Sequence, residues 1–190
     1  MRDNKKMIKT KKDLKNTLDY EKNRYGNIPK LWFLFSLFGV SEASIIWKFQ
    51  RRLRIWEYHL NKKHKIRTLI LKAKTCSLGR KYGISIGPNV FDKGLKIMHL
   101  GTILIHNKSK VGINCVLHIN TAFVSTNGIA NGPVVGDNCA FGVGSILIGN
   151  ILLGDNIVVG AGAVVTKSFP ESHITIAGVP AKIVSQKASI

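Results

Sequence analysis

Acidic residues are scarce in this sequence: 10 Asp and Glu stand against 29 Lys and Arg, a formal net charge of +19 over 190 residues. Cysteine is scarce as well. Cys76, Cys115 and Cys139 are odd in number and show no CxxC or Cys/His ligand spacing, which argues against a disulfide framework and against a zinc site. Long hydrophobic runs are missing. The longest, Leu31 to Val40, is about half of the ~20 residues a spanning helix requires, and reads as a packing surface in preference to an interfacial segment. The charged start Met1-Arg2-Asp3-Asn4-Lys5-Lys6 is followed by no apolar stretch with a small-residue cleavage site, so no secretory signal is expected. These absences point to a cytoplasmic protein, long enough to bury a core without disulfides or metals.

The positive charge is unevenly placed. Residues 1–83 hold 22 Lys and Arg against 6 Asp and Glu, a net of +16, whereas residues 84–190 hold 7 against 4, a net of +3. The chain therefore divides into a basic N-terminal region, 1–83, and a second region, 84–190. Residues 1–75 read as helices. Ile46, Phe49, Leu53, Trp56 and Leu60 recur at intervals of three and four and share one face, with Lys48, Arg51, Arg52 and Glu57 assigned to the others. Residues 8–24 are helix-compatible, and Gly26-Asn27-Ile28-Pro29 marks a turn. A basic helical region suits an anionic membrane surface, nucleic acid or an acidic ligand, and equally a solvated surface; charge alone does not choose.

From Ile84 onward a period of six appears. The hexads from Val135 are Val-Gly-Asp-Asn-Cys-Ala, Phe-Gly-Val-Gly-Ser-Ile, Leu-Ile-Gly-Asn-Ile-Leu, Leu-Gly-Asp-Asn-Ile-Val and Val-Gly-Ala-Gly-Ala-Val, with an apolar residue first at 135, 141, 147, 153, 159 and 165. Ile105, Val111, Leu117 and Phe123 keep the same phase until residues 124–134 interrupt it. One hexad makes a short strand and a turn, and three close a triangular coil whose first positions stack as an apolar column. The fifth position, occupied by Cys115, Cys139, Ser145, Ala163 and, exceptionally, Ile157, faces a crowded interior, which makes the two cysteines core fillers.

The ending is more specific than the repeat. Val159-Gly160-Ala161-Gly162-Ala163-Val164-Val165 through Pro170, then Ala177-Gly178-Val179-Pro180-Ala181-Lys182, resembles the closing coil and terminal segment of the hexapeptide-repeat acyltransferases. Within that group the chain is most similar to serine O-acetyltransferases and to O-acetyltransferases of capsular and cell-surface polysaccharides. The resemblance covers about residues 84–185. It implies a mainly β fold, a left-handed parallel β-helix behind an N-terminal α-helical region, and a homotrimer with active sites between neighbouring prisms. It also implies acetyl-CoA as co-substrate, a histidine general base, direct transfer without an acyl-enzyme, and no metal.

Carried over by position, the resemblance makes His99, in Ile97-Met98-His99-Leu100-Gly101, the candidate base; His118 is a second candidate for the site and His106 a weaker one, because both hold the outward-pointing second position of a hexad. For acetyl-CoA it points to Gly144, Ser145, Gly162 and Ala163 along the prism edge, and to Lys167 and Lys182 for the nucleotide phosphates. Two departures matter. Met98 stands where serine enzymes carry Asp, leaving Asp92, or an acid of the N-terminal helices such as Asp19 or Glu21, to orient the imidazole, and Gly132-Pro133 stands where they carry a His-Pro pair. These losses favour a polysaccharide or sugar hydroxyl over serine as acceptor, with the enzyme cytoplasmic or peripheral at the inner membrane face. Serine O-acetyltransferase is the alternative, and a non-catalytic scaffold or nucleic-acid-binding trimer a third and disfavoured reading. The helices could also join trimers into a higher assembly.

Overall fold

The computed structural model describes residues 7–26, 41–126 and 131–188. The Leu31–Val40 run, the end of the turn at Asn27-Ile28-Pro29 and the middle of the 124–134 interruption lie outside the described residues.

Among the described residues three helices precede the strands: α1 (Lys11–Asn23), α2 (Glu42–Asn61) and α3 (Lys65–Tyr82). Thr10 and Ser41 cap α1 and α2, each accepting a backbone N–H three residues on, at 3.0 and 3.2 Å, and so satisfying donors the helix leaves open. Gly83 ends α3 in the left-handed region, φ +76°, and the first strand follows at once.

The strands wind into a triangular prism. One face stacks β1 (Ile84–Ser85), β3 (Ile103–Ile105), β6 (Thr121–Val124), β9 (Ile146–Ile148) and β12 (Val164–Val165). A second stacks β4 (Lys110–Val111), β7 (Val134–Val135) and β10 (Leu152–Leu153). The third stacks β2 (Lys96–Ile97), β5 (Val116–Leu117), β8 (Ala140–Phe141), β11 (Val158–Val159) and β13 (Thr175–Ala177). Every pair within these faces is parallel, and β14 (Lys182–Ser185) closes the third face antiparallel to β13. The parallel β-helix expected from the hexads is thus present, behind helices.

Register explains the core. The first-position residues Val111, Leu117, Phe123, Val135, Phe141, Leu147, Leu153, Val159 and Val165 are all buried, as are Cys115, Cys139, Ser145 and Ala163 at position five. Burial pushes the Cys115 thiol up, away from the reactive thiolate. At position four of one corner, Asn114, Asn138 and Asn156 take positive φ and chain together: Asn114 Nδ2 donates to Asn138 Oδ1 at 3.1 Å, and Asn138 Nδ2 to Asn156 Oδ1 at 3.2 Å. Tyr20 of α1 enters this ladder from below, its hydroxyl 2.7 Å from Asn114 Oδ1.

The helices close the first coil rather than standing apart from it. Ile46, Phe49, Leu53 and Trp56 belong to the same core as Ile84, Phe91, Leu95 and Ile97. Three charged residues, Arg54, Glu21 and Glu57, share this interior. Arg54 is 1% exposed and bonds Glu21 of α1 at 2.6 Å, Glu57 at 2.8 Å, and the carbonyls of Phe91 and Asp92 at 2.9 and 2.7 Å. Burial alone would lower the Arg54 pKa, but the two carboxylates outweigh it and hold the guanidinium above its ordinary value. Glu57, assigned from the sequence to a polar face, is therefore buried; its charge is matched, so the apolar side accepts it.

Candidate functional site

His99 follows β2 at the corner between the third and first faces. Parallel register fixes what lies above it: Met98 N–H donates to Leu117 O, His118 N–H to Phe141 O and Gly142 N–H to Val159 O, so Met98, His118, Gly142 and Gly160 rise in one column. The two histidines sit on adjacent coils of one corner. His118 is partly buried, and burial first, then the neighbouring His99, pulls its pKa below the ordinary value.

The carboxylate that faces His99 comes from an N-terminal helix, but from neither Asp19 nor Glu21, nor from Asp92. Glu21 is bound to Arg54 in the interior, and the Asp92 carbonyl also bonds Arg54. Glu42 takes the place instead: Oε2 lies 3.4 Å from His99 Nδ1, and Oε1 accepts the Leu100 N–H at 2.5 Å. Glu42 is the first residue of α2, where a negative side chain also suits the helix dipole. Arg54 sits 12 residues on, roughly 18 Å along the helix, and ties α2 to Phe91 and Asp92. The Arg54 network thus helps to fix where Glu42 arrives. With Nδ1 hydrogen-bonded to a carboxylate, the imidazole carries its proton there and leaves Nε2 free to accept one. Both side chains remain about half exposed in the single chain.

Above the histidines the corner carries Gly142-Val143-Gly144 and Gly160-Ala161-Gly162, so that its side chains are the half-exposed Val143 and the Ala161 methyl, each flanked by glycines. Gly144 and Gly162, with φ of +72° and +66°, stack over Asn120. A Cβ at Gly162 would touch nothing within 4 Å, and one at Gly144 would reach only the Gly162 backbone, at 3.8 Å. The result is an open strip of backbone that starts at His118 and suits an extended, flexible arm. Ser145 and Ala163 lie beside the strip but turn inward. Their N–H groups donate to Gly142 O and Gly160 O at 3.1 and 3.2 Å, and their carbonyls accept from Ala122 and Ile146, so both residues are already engaged within the coil. Lys182, next to β13 in β14, belongs to the far end of the same corner.

Lys167 and His106 are elsewhere. Lys167 follows β12 and His106 follows β3, which puts both at the corner between the first and second faces. The Lys167 amine stands 5.4 Å from the Phe169 ring centroid. A single prism does not bring either residue to His99. At this second corner Gly132 crosses His106: a Cβ at 132 would come within 2.8 Å of His106 Nδ1 and 2.4 Å of Ser109 Oγ. A side chain at 132 has no room beside Ser109 and His106. Among the described residues no group of three or more His, Cys, Asp and Glu could hold a metal ion.

Comparisons by sequence and by fold bring up one group of proteins. The chain is 31% identical over 139 residues to a serine acetyltransferase of Staphylococcus epidermidis, a match covering 70% of this chain and 64% of that protein. The chain resembles serine acetyltransferases. A second serine acetyltransferase, from Buchnera aphidicola of Acyrthosiphon pisum, is 31% identical over 140 residues, 72% of this chain and 50% of that protein. The chain thus spans between half and two thirds of the length of these relatives. No family model matches it. Among solved structures, serine acetyltransferase from Brucella abortus superposes with a TM-score of 0.70 at 20% identity, over 93% of this chain and 71% of that one. The soybean serine acetyltransferase apoenzyme gives 0.71 at 21%, over 90% and 69%. A serine acetyltransferase in complex with CoA gives 0.65 at 20%, over 92% and 70%. The shared fold is the left-handed β-helix with a helical N-terminal region.

Proposed function

We propose that this chain is an acetyl-CoA-dependent O-acetyltransferase in which His99 is the general base and Glu42 positions it. The observation that carries the reading is the Glu42–His99–His118 corner standing at the foot of the glycine strip. Acetyl-CoA would supply an activated acyl thioester. Gly144 and Gly162 would let its pantetheine arm lie against backbone, and Lys182 would meet phosphate as a point charge. His99 Nε2 accepts the proton of the acceptor hydroxyl as the oxygen attacks the thioester carbonyl, and Glu42 stabilises the imidazolium that forms. The proton then leaves His99 for the departing CoA sulfur, so that the base is regenerated and no acyl-enzyme is needed.

For the acceptor, the names of the curated relatives favour L-serine. The preference for a glycan hydroxyl drawn from the sequence finds no support among those names and becomes the second reading. Its specific grounds are Met98 beside the base and a Gly132 that Ser109 and His106 leave no room to enlarge. In either case the working unit would be a homotrimer, whose neighbouring prism would cover the half-exposed His99 and bring a second corner, with Lys167 and His106, toward it. The basic helices would hold it at the inner face of the membrane. Release of free CoA from acetyl-CoA, assayed separately with L-serine and with nucleotide-sugar or oligosaccharide acceptors, tests the reading. Serine-dependent release establishes the first acceptor, sugar-dependent release the second, and none with either overturns both.

A further inference from the structure

Helix α3 is apolar on two opposite sides. Its inner side, with Leu71, Thr75, Leu78 and Gly79, packs on the core. Its outer side carries Ile66, Leu69 and Ile70 at helical spacing, and these are 77%, 68% and 48% exposed. Residues 62–82 hold eight Lys and Arg and no Asp or Glu. Three exposed aliphatic side chains among eight uncompensated cations are costly in water, but they match the boundary between lipid headgroups and acyl chains.

We infer that the outer face of α3 is a docking surface for an anionic lipid bilayer. The aliphatic side chains enter the headgroup boundary while Lys and Arg meet lipid phosphates, an attraction that falls off within a Debye length. No described helix is long and apolar enough to cross a membrane, so the contact is peripheral. A second copy of the chain fits this face less well. The chain has 10 acidic residues to 29 basic; Glu21 and Glu57 are buried on Arg54, and Glu42 faces His99, so like charge would meet like. Nucleic acid would satisfy the cations but not Ile66 and Leu69. The proposal gives residues to the membrane-face location and is independent of acyl transfer, which is assayed separately.

The experiment is flotation of the full chain with vesicles of phosphatidylcholine alone and of phosphatidylcholine mixed with phosphatidylglycerol. The protein is expected to float with the mixed vesicles only and to be released as salt is raised. Ile66→Ser/Leu69→Ser/Ile70→Ser should lower partitioning at least about tenfold, and Lys65→Gln/Lys72→Gln should lower it severalfold, with melting temperature, solution size and CoA release unchanged. The proposal is overturned by failure to float with the mixed vesicles, or by flotation that neither variant alters. It is equally overturned by a change of solution size in the serine variant, which assigns the face to a subunit contact, or by tighter retention on duplex DNA or RNA at the same salt.

Discussion

Glu42 and His99 are 57 positions apart in the sequence, yet the Glu42 carboxylate lies 3.4 Å from the ring Nδ1 of His99 and accepts the neighbouring Leu100 N–H. One side chain from a helix therefore fixes both the imidazole and the corner that bears it. If this pairing sets the tautomer, Glu42→Gln should lower kcat for CoA release by about 10- to 100-fold, less than the 10²–10⁴ attributable to a base itself. KM for acetyl-CoA should hardly move, because Glu42 bonds His99 and Leu100, two coils below the first glycines of the strip. Steady-state kinetics read both quantities, and a variant that changed only KM would contradict a positioning role.

His118 provides a pH test. Its pKa is lowered by burial first and by His99 second. Its ring should titrate below the ordinary ~6.5 in a nuclear magnetic resonance titration. In His99→Ala the midpoint should rise, since a neighbour that can become positive is gone, but it should stay below the ordinary value because burial remains. The lowered value also ties His118 to stability: the unfolded chain binds its proton more readily, so this contribution is present above pH ~6.5 and is lost as pH falls below it. A midpoint unchanged in His99→Ala would mean that the two rings do not interact.

Much of this was legible beforehand and some was not, for reasons that can be named. The apolar column was legible because one residue in six must face the interior of a narrow prism, and Val135 to Val165 repeats that demand without a break. The motif around His99 points to that residue, and its role as base is the reading proposed above. Glu42 was not legible, because nothing in local spacing links a helix start to a turn 57 residues later, and residues 27–40 add an apolar run that draws attention away. Glu57 was misplaced for a different reason. It lies four residues after Leu53 and three before Leu60, on the apolar side by spacing, and was assigned outward only because it is charged.

The buried Arg54 cluster predicts a large stability effect. Arg54→Met leaves Glu21 and Glu57 buried without their cation and should cost about 3–5 kcal/mol in chemical denaturation. Adding Glu21→Leu and Glu57→Leu should recover only part of that, because the Gly94 N–H and the Gln50 amide lose Glu21 as acceptor. Full recovery would mean that the cluster adds nothing beyond mutual neutralisation.

The asparagine ladder predicts an inversion of the usual order of substitutions. Asn138 has φ +54° and bonds Asn114 and Asn156. Asn138→Ala meets the left-handed penalty of about 1–2 kcal/mol as well as losing the ladder, whereas Asn138→Gly loses the ladder alone. Thermal melting should therefore rank Gly above Ala.

The most direct measurement is acceptor-dependent release of CoA thiol from acetyl-CoA by the wild-type chain and by His99→Ala, each first shown to have the same oligomeric size. Wild-type release that falls by at least ~10²-fold in the alanine variant, with acetyl-CoA still bound, is the predicted result. Turnover at the wild-type rate in His99→Ala would contradict the assignment of the base and, with it, the role given to Glu42.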